Sequence, residues 1–328
     1  MNHRFTLAIE SSCDESSVAV LDGDRDVRSN VIHSQTQLHA PHGGVLPELA
    51  ARDHLERLPG LVEAALEEAG VPPGQIGLVA ATRGPGLAGC LLCGVGLGAG
   101  LAAAWGIEFR GVNHLWGHVY AGFITEPGLE PPLLALVVSG AHTDLVLMRG
   151  HGDFVALGRT RDDAAGEAFD KAARMLGLGY PGGPALERVA RSGEAGRQPL
   201  PRPRLPGLEF SFSGLKTALR YRLRDLGDAA SDEDRADLAA AFQGAVVGAL
   251  AEKLDLALRT HPVPRVVLCG GVAANGPLRE AATAVAASRG ARITLPPLIL
   301  CTDNAAMIGA AAQHTPAGGR AVDAALEW

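Results

Sequence analysis

Two histidines stand four apart in Gly111-Val112-Asn113-His114-Leu115-Trp116-Gly117-His118-Val119-Tyr120. On a helix this spacing stacks both imidazoles on one face, where neutral nitrogens can share iron, zinc or another late divalent metal. The alternative is one solvent-facing and one core histidine on an ordinary helix. A distant stretch, Cys301-Thr302-Asp303-Asn304, favours the metal. It follows an apolar run over 293–300, read as a strand, and opens a helix of small residues, so Asp303 offers a carboxylate at a loop end. Two histidines and one aspartate leave coordination positions open, as a metal acting on a substrate requires. Asp303 could instead serve as N-cap of its own helix, and spacing alone does not show that it meets the histidines. His39, His42 and His54 form a rival set, but their spread across a loop and a helix suits substrate contacts or a lid better than a metal.

These side chains need elements to position them. Residues 5–10 alternate apolar positions and end in Ser11-Ser12-Cys13-Asp14-Glu15-Ser16-Ser17, and a second apolar run over 18–21 ends at Asp22-Gly23-Asp24. That pattern predicts strand, tight polar turn, strand. Backbone N–H groups at such a turn can cradle phosphate, and Glu10, Asp14 and Glu15 could order a metal or its waters; a solvated hairpin loop is the plain alternative. Residues 133–139, Gly140-Ala141-His142-Thr143 and 144–148 repeat the layout in the other half of the chain. The repeat points to duplication, each half building an α/β sheet around a turn, as in actin-like and sugar-kinase-like proteins whose two lobes face a nucleotide cleft.

Strands are also expected over 76–82 and 108–112, with Arg83-Gly84-Pro85-Gly86-Leu87 between them as a glycine-rich turn feeding a helix. Such a turn suits an anion but is no P-loop, since no Gly-Lys-Ser/Thr follows. Pro47 opens a helix that runs toward Gly70, with Pro59 kinking or splitting it. Another helix is expected to begin at Asp162. After a strand over 265–268, Cys269-Gly270-Gly271-Val272-Ala273-Ala274-Asn275 lets a flat ring or ribose lie on backbone, with Asn275 at its edge. The first lobe is assigned to residues 1–112 with a C-terminal helix at roughly 305–328, and the second to 113–304.

At 328 residues the chain is long for one core, which fits two lobes. A net charge of −7 gives no global attraction to nucleic acid or an anionic membrane. Any such partner needs a local basic patch or another subunit. The candidate is the arginine-rich segment over 188–204, followed by Lys216, Arg220, Arg222 and Arg224 on a helix entered at Ser213. No signal-peptide pattern opens the sequence, and the uncharged stretch 86–105 carries six glycines, so a helix buried between sheet and neighbours is expected there rather than a membrane span. Five cysteines, an odd number, argue against a disulfide framework and for a cytoplasmic protein.

Seven blocks in order along the chain resemble the TsaD (Gcp) family, threonylcarbamoyl transferases that modify tRNA. They are Ile9-Glu10-Ser11-Ser12-Cys13-Asp14-Glu15, His42-Gly43-Gly44-Val45 through Pro47-Glu48-Leu49-Ala50, Gly84-Pro85-Gly86-Leu87, Asn113-His114-Leu115 with Gly117-His118, Phe210-Ser211-Phe212-Ser213-Gly214-Leu215-Lys216, Gly270-Gly271-Val272-Ala273-Ala274-Asn275 and Cys301-Thr302-Asp303-Asn304-Ala305-Ala306-Met307. The resemblance implies a two-lobed actin-like (ASKHA) fold and one divalent metal, Fe2+ or Zn2+, held by His114, His118 and Asp303. It implies that Val137, Val138, Ser139, Gly140, Ala141, Asp170, Gly183 and Asn275 bind the adenylate, with Glu187 at its ribose, and that ATP, ADP or AMP can occupy the same cleft. The implied reaction moves threonylcarbamoyl from threonylcarbamoyl-AMP to N6 of adenosine 37 in tRNAs reading codons that start with A, forming t6A. The implied partners are tRNA and TsaB-like and TsaE-like proteins. The chain departs from many members in having Ala141 for glycine, Trp116 for glutamate and Glu187 for aspartate.

The chemistry is intelligible without the family. A carbamoyl-phosphate anhydride is activated, AMP leaves readily, and an aromatic amine is a poor nucleophile whose approach must be arranged. A Lewis acid and backbone amides can offset charge on the carbonyl and phosphate oxygens. Glu10 and Asp14 are the candidates for taking the amine proton. A zinc protease would carry its general base directly after the first histidine, where this chain has Leu115. A small-molecule kinase or ATPase on the same fold would need a base aimed at a substrate hydroxyl and no transition metal. A non-enzymatic nucleotide-binding scaffold would have no use for the triad.

Overall fold

The computed structural model describes residues 5–227 and 230–316, so the expected C-terminal helix is described only as far as residue 316. Alternation at the start of the chain yields an antiparallel hairpin of β1 (Phe5–Glu10) and β2 (Glu15–Asp22), with Ile9 opposite Val18 and Glu10 opposite Ser17. β3 (Asp26–Ser34) pairs antiparallel with β2. The chain then runs through α1 (Thr36–His39) and α2 (Pro47–Ala69) to β4 (Ile76–Gly84), parallel to β1. From there α3 (Ala88–Trp105) leads to β5 (Glu108–Asn113), parallel to β4, and α4 (His114–Thr125) follows. The strand order is β3-β2-β1-β4-β5.

The second sheet repeats this plan. Its strands β6 (Leu133–Val138), β7 (Thr143–Gly150), β8 (Asp153–Arg159), β9 (Arg265–Cys269) and β10 (Arg292–Thr294) lie in the order β10-β9-β6-β7-β8. Here too the first three strands meander antiparallel and the last two add in parallel on the other side of the first. Between β8 and β9 come α5 (Ala165–Met175), α6 (Gly182–Ala190), α7 (Ser213–Leu226) and α8 (Asp232–Thr260), and α9 (Gly276–Ser288) precedes β10. The duplication expected from two strand-turn-strand segments is present as two sheets of one topology.

Of the described residues, one compact unit comprises 5–130 with 296–316, and the other 131–227 with 230–295. The expected boundary at 112 assigned α4 and Asp303 to the second unit. The structure places both in the first, because α4 packs on α11 (Ala305–Ala312), whose eight residues are all buried. Gly117 permits that contact: a Cβ there would stand 2.7 Å from Cδ1 of Ile308. The first unit's core joins Leu7, Ile9, Val18 and Val20 of the hairpin to Leu58 and Val62 of α2 and Val95 of α3. Each aliphatic side chain so buried contributes about 1.5–3 kcal/mol at most. In the second unit β6 is buried on both faces, as its unbroken apolar run Leu-Leu-Ala-Leu-Val-Val requires.

Four local expectations change. α2 runs unbroken through Pro59, because Pro59 lies on its exposed face and the carbonyl it deprives can meet solvent. Residues 293–300 do not form one strand: Pro296-Pro297 stops β10 after Thr294 and the chain enters α10 (Leu298–Cys301). α5 begins at Ala165 rather than at Asp162. α3, with a mean hydropathy of 1.7, is the one described helix long and apolar enough to cross a membrane, yet only Cys90, Leu91, Gly94, Val95, Gly98 and Ala102 are buried.

Candidate metal centre

α4 starts where it does because Asn113 caps it, its side-chain oxygen accepting from the N–H groups of Leu115 and Trp116 at 3.0 and 3.3 Å. His114 and His118 therefore occupy the first and second turns on one face, with ring centroids 4.7 Å apart and planes at 79°. Asp303 is not the cap of α11. Asn304 takes that part, accepting from Met307 N–H at 3.1 Å, while the Ser17 hydroxyl and the side-chain oxygen of Asn30 accept from the N–H groups of Ala305 and Ala306. Asp303 is thereby left to face the histidines, with its Oδ1 3.5 Å from His114 Nε2 and 3.2 Å from His118 Nε2.

The three ligand atoms lie within 4.8 Å of one another, the one such group of three among the described residues. Tetrahedral bonds of about 2.0–2.1 Å separate ligands by about 3.3–3.4 Å, close to the two distances to Asp303. His118 is fully buried, and among the described residues neither ring nitrogen has a well-formed hydrogen bond, its Nε2 standing 3.2 Å from Asp303 Oδ1. A buried polar group without a partner is costly, so its nitrogen is explained best as a ligand atom. His114 is held from behind, where its Nδ1 meets Oε2 of the fully buried Glu10 at 3.1 Å and the Ser12 hydroxyl at 3.3 Å. Carboxylate behind imidazole behind cation is the usual way a metal-binding histidine is oriented.

Electrostatics point the same way. Burial would raise the Glu10 carboxyl, yet the facing imidazole of His114 holds it below its ordinary value. Burial opposes a charged His114, but Asp303 and Glu10 outweigh it and hold the imidazolium well above the histidine norm. Burial likewise opposes an ionised Asp303, and the two histidines hold it well below the carboxylate range. Glu15 is pushed well up, first by burial and then by Asp14 and Asp303. Carboxylates crowd this corner beyond what one imidazolium neutralises, and a divalent cation is the natural remedy. The residues present fit the metal that the resemblance implies.

The two proton-acceptor candidates separate. Glu10 is sealed, accepting from Thr82 Oγ1 and Ser12 N–H at 2.5 Å each, so it orients His114 and cannot meet substrate. Asp14 stays partly exposed on the hairpin turn. Sequence reading passed over Ser12, Thr82, Ser17 and Asn30 as partners here. Ser12 and Ser17 carried a signal in belonging to the polar turn and Thr82 in lying near the end of β4, whereas Asn30, in the middle of β3, carried none. The rival histidines do not converge on an ion. His39 donates to Gln35 and accepts from Leu46 N–H, His54 bonds Ser16 and the Cys13 carbonyl, and His42 is exposed.

In the second unit the residues assigned to the adenylate gather around the ends of β6 and β9. Val137 and Val138 are buried strand residues, able to meet a ligand only through main chain. Ser139 closes the β6–β7 turn, its N–H bonding the His142 carbonyl at 2.8 Å and its Oγ accepting from His142 N–H at 3.1 Å. Gly140 and Ala141 are exposed at the tip, and no non-glycine residue described has a positive φ, so the methyl of Ala141 brings no strain. Gly270, at φ 90°, packs under the turn, where a Cβ would stand 2.4 Å from the Val138 carbonyl oxygen. Asn275 caps α9 and donates to Glu187 at 3.1 Å and Gln243 at 2.9 Å, so Glu187 and Asn275 act as one polar ledge. Asp170 accepts from Gly182 N–H at 2.9 Å and fixes the entry to α6 beside Gly183.

Residues 26–310 match the family model described as TsaD, tRNA N6-adenosine threonylcarbamoyltransferase. Proteins of that name from Symbiobacterium thermophilum and Thermomicrobium roseum are 54% and 49% identical, covering 96% and 98% of this chain and 92% and 94% of their own lengths. Among solved structures, HypF of T. kodakarensis covers 94% of this chain and 47% of its own at a TM-score of 0.63 and 14% identity. Component A of the Acidaminococcus fermentans (R)-2-hydroxyglutaryl-CoA dehydratase covers 95% and 97% at 0.52 and 16%. At such identities these two speak for the fold alone, which is the actin-like α/β fold.

Proposed function

Because the chain belongs to the TsaD family of tRNA N6-adenosine threonylcarbamoyltransferases, we propose that it transfers threonylcarbamoyl from threonylcarbamoyl-AMP to N6 of adenosine 37 in tRNAs reading codons that start with A. The observation that carries the reading is the convergence of His114, His118 and Asp303 with Glu10 behind His114. In the reaction the N6 nitrogen bonds to the carbamoyl carbon, the bond from that carbon to the phosphate oxygen breaks, AMP departs, and N6 loses a proton.

His114, His118 and Asp303 would hold one Fe2+ or Zn2+, and the bound ion would supply Lewis-acid polarisation. The chain's own residues do the rest. Glu10 fixes the ring of His114 so that Nε2 faces the ion. Asp14 is the carboxylate with an open edge and takes the N6 proton. Main-chain groups of Val137, Val138, Ser139, Gly140 and Ala141 cradle the adenylate, with Asp170, Gly183, Glu187 and Asn275 at its edges. The reading also carries TsaB-like and TsaE-like partners and a cytoplasmic setting.

Incubating the chain with those partners, threonylcarbamoyl-AMP and unmodified tRNA, then analysing nucleosides by mass, tests the proposal. Threonylcarbamoyladenosine must appear with wild type and vanish with His114→Ala/His118→Ala. Product formed at the wild-type rate by the double variant would defeat it.

A further inference from the structure

Three of the five arginines in the segment over 188–204 face the protein's own acids. Arg191 pairs with Glu187 at 3.3 Å, Arg197 pairs with Glu194 and Glu233, and Arg202 lies 3.8 Å from Glu252 with its guanidinium against Gly248. Another basic surface is open. On α7, Lys216, Arg220 and Arg224 recur every fourth residue, which places them along one side at steps of about 6 Å. Lys171 and Arg174 of α5 complete a groove of about 570 Å³ that Tyr221 also lines.

The charges in this groove are not equally engaged. Asp163 and Glu167 lie at one end, Lys171 bonding both at 2.8 Å and Lys216 bonding Asp163 at 3.2 Å. Arg220 is exposed and makes no ion pair or hydrogen bond with the described residues. Arg224 sits 3.4 Å from its exposed neighbour Asp225 and holds its guanidinium 4.9 Å from the ring centre of Tyr221. Tyr221 is itself 53% exposed. A cationic ladder with an exposed aromatic, on a chain of net charge −7, is a local feature rather than a spill-over of general charge.

We propose that the α5–α7 groove docks the phosphodiester backbone of the tRNA substrate and that a base stacks on Tyr221; this rests on the tRNA reading above. The ladder from Lys216 to Arg224 spans about 12 Å of helix, more than one phosphate group can engage, which favours a polymer over a free nucleotide. The exposed ring beside a guanidinium favours nucleic acid over an acidic protein segment, since bases stack on both.

The test measures binding of an unmodified tRNA transcript to the full chain by fluorescence anisotropy across a salt series. Arg220→Gln/Arg224→Gln raises Kd about tenfold or more near 0.1 M salt and lowers the slope of log K against log salt by about 1.4–1.8, at roughly 0.7–0.9 per phosphate contact. Tyr221→Ala raises Kd about fivefold or more. Arg222→Gln, on the same helix outside the groove, stays within about twofold of wild type. Unchanged Kd and slope in the double variant, an equal loss in Arg222→Gln, no tRNA binding by wild type, or equal displacement by polyglutamate would each overturn the proposal. Nucleoside analysis separates the two readings. Transfer by wild type with normal tRNA binding by the groove variants leaves the catalytic reading standing and removes the groove. Groove-dependent binding without transfer does the reverse.

Discussion

Glu10 Oε2 lies 3.1 Å from Nδ1 of His114, while the other nitrogen of the same ring lies 3.5 Å from Asp303. A buried carboxylate on one side and an exposed-edged one on the other pin the imidazole between them. The first carboxylate, on β1, fixes the orientation of a histidine that helix spacing merely aligns.

Glu10→Gln tests this arrangement. The amide keeps size and most hydrogen bonds but removes the charge that polarises the ring, so metal affinity falls about 10–100-fold. Competition with a chelator of known affinity measures it. Metal retention equal to wild type would show that Glu10 only fills space.

His118→Ala removes a ring whose nitrogens have no well-formed hydrogen bond among the described residues. Elemental analysis of the purified variant is expected to show less than about a tenth of the wild-type metal content, since two ligands replace three. Full occupancy would mean that His118 is an ordinary core residue.

Asp303 and Asn304 are adjacent but have separate tasks, so their variants diverge. Asn304→Ala costs about 1 kcal/mol, within a range of roughly 0.5–2, through loss of the α11 cap. Asp303→Ala abolishes metal binding. Urea unfolding of metal-free protein and metal content, measured in both variants, check the split; the same ranking in both assays would contradict it.

Asp162 secures the start of α7 from outside it, accepting from Phe212 N–H at 2.8 Å, Ser213 N–H at 3.2 Å and the hydroxyls of Ser211 and Ser213. Partial burial would raise its carboxyl, but these donors hold it below the ordinary value. A depressed carboxylate contributes stability above its unfolded-state pKa of about 4 and loses it as pH falls through the lower folded value. The stability gap between wild type and Asp162→Ala, about 1 kcal/mol at pH 7 by analogy with other caps, should therefore close on acidification below pH 4. A gap independent of pH would assign the effect to packing.

Much of this was legible beforehand, for identifiable reasons. The polar turn Ser11–Ser17 between two apolar runs, and its echo at Ser139–Thr143, gave both hairpins because a short polar break between apolar segments marks a turn between strands. His114 and His118 were legible because a four-residue step has one meaning on a helix. The lobe boundary was not, since only tertiary packing of α4 on α11 decides which core owns the histidines. Residues 293–300 looked like a strand because apolarity is insensitive to the Pro296-Pro297 break. The cap of α11 fell one residue later than an aspartate-first reading allows, and the groove of α5 and α7 depends on side chains 45 residues apart, Lys171 and Lys216, both bonding Asp163.

The first unit is closed by a segment that returns to it after residue 295. During synthesis at roughly 5–20 residues per second, about 10–40 s pass between the emergence of His118 and that of Asp303. For that interval the two imidazoles have no acidic ligand and the hairpin lacks α11 against it. Under the proposed metal role, capture falls late in the life of each polypeptide, and ribosome-arrested chains ending before Asp303 should release iron or zinc that completed chains retain.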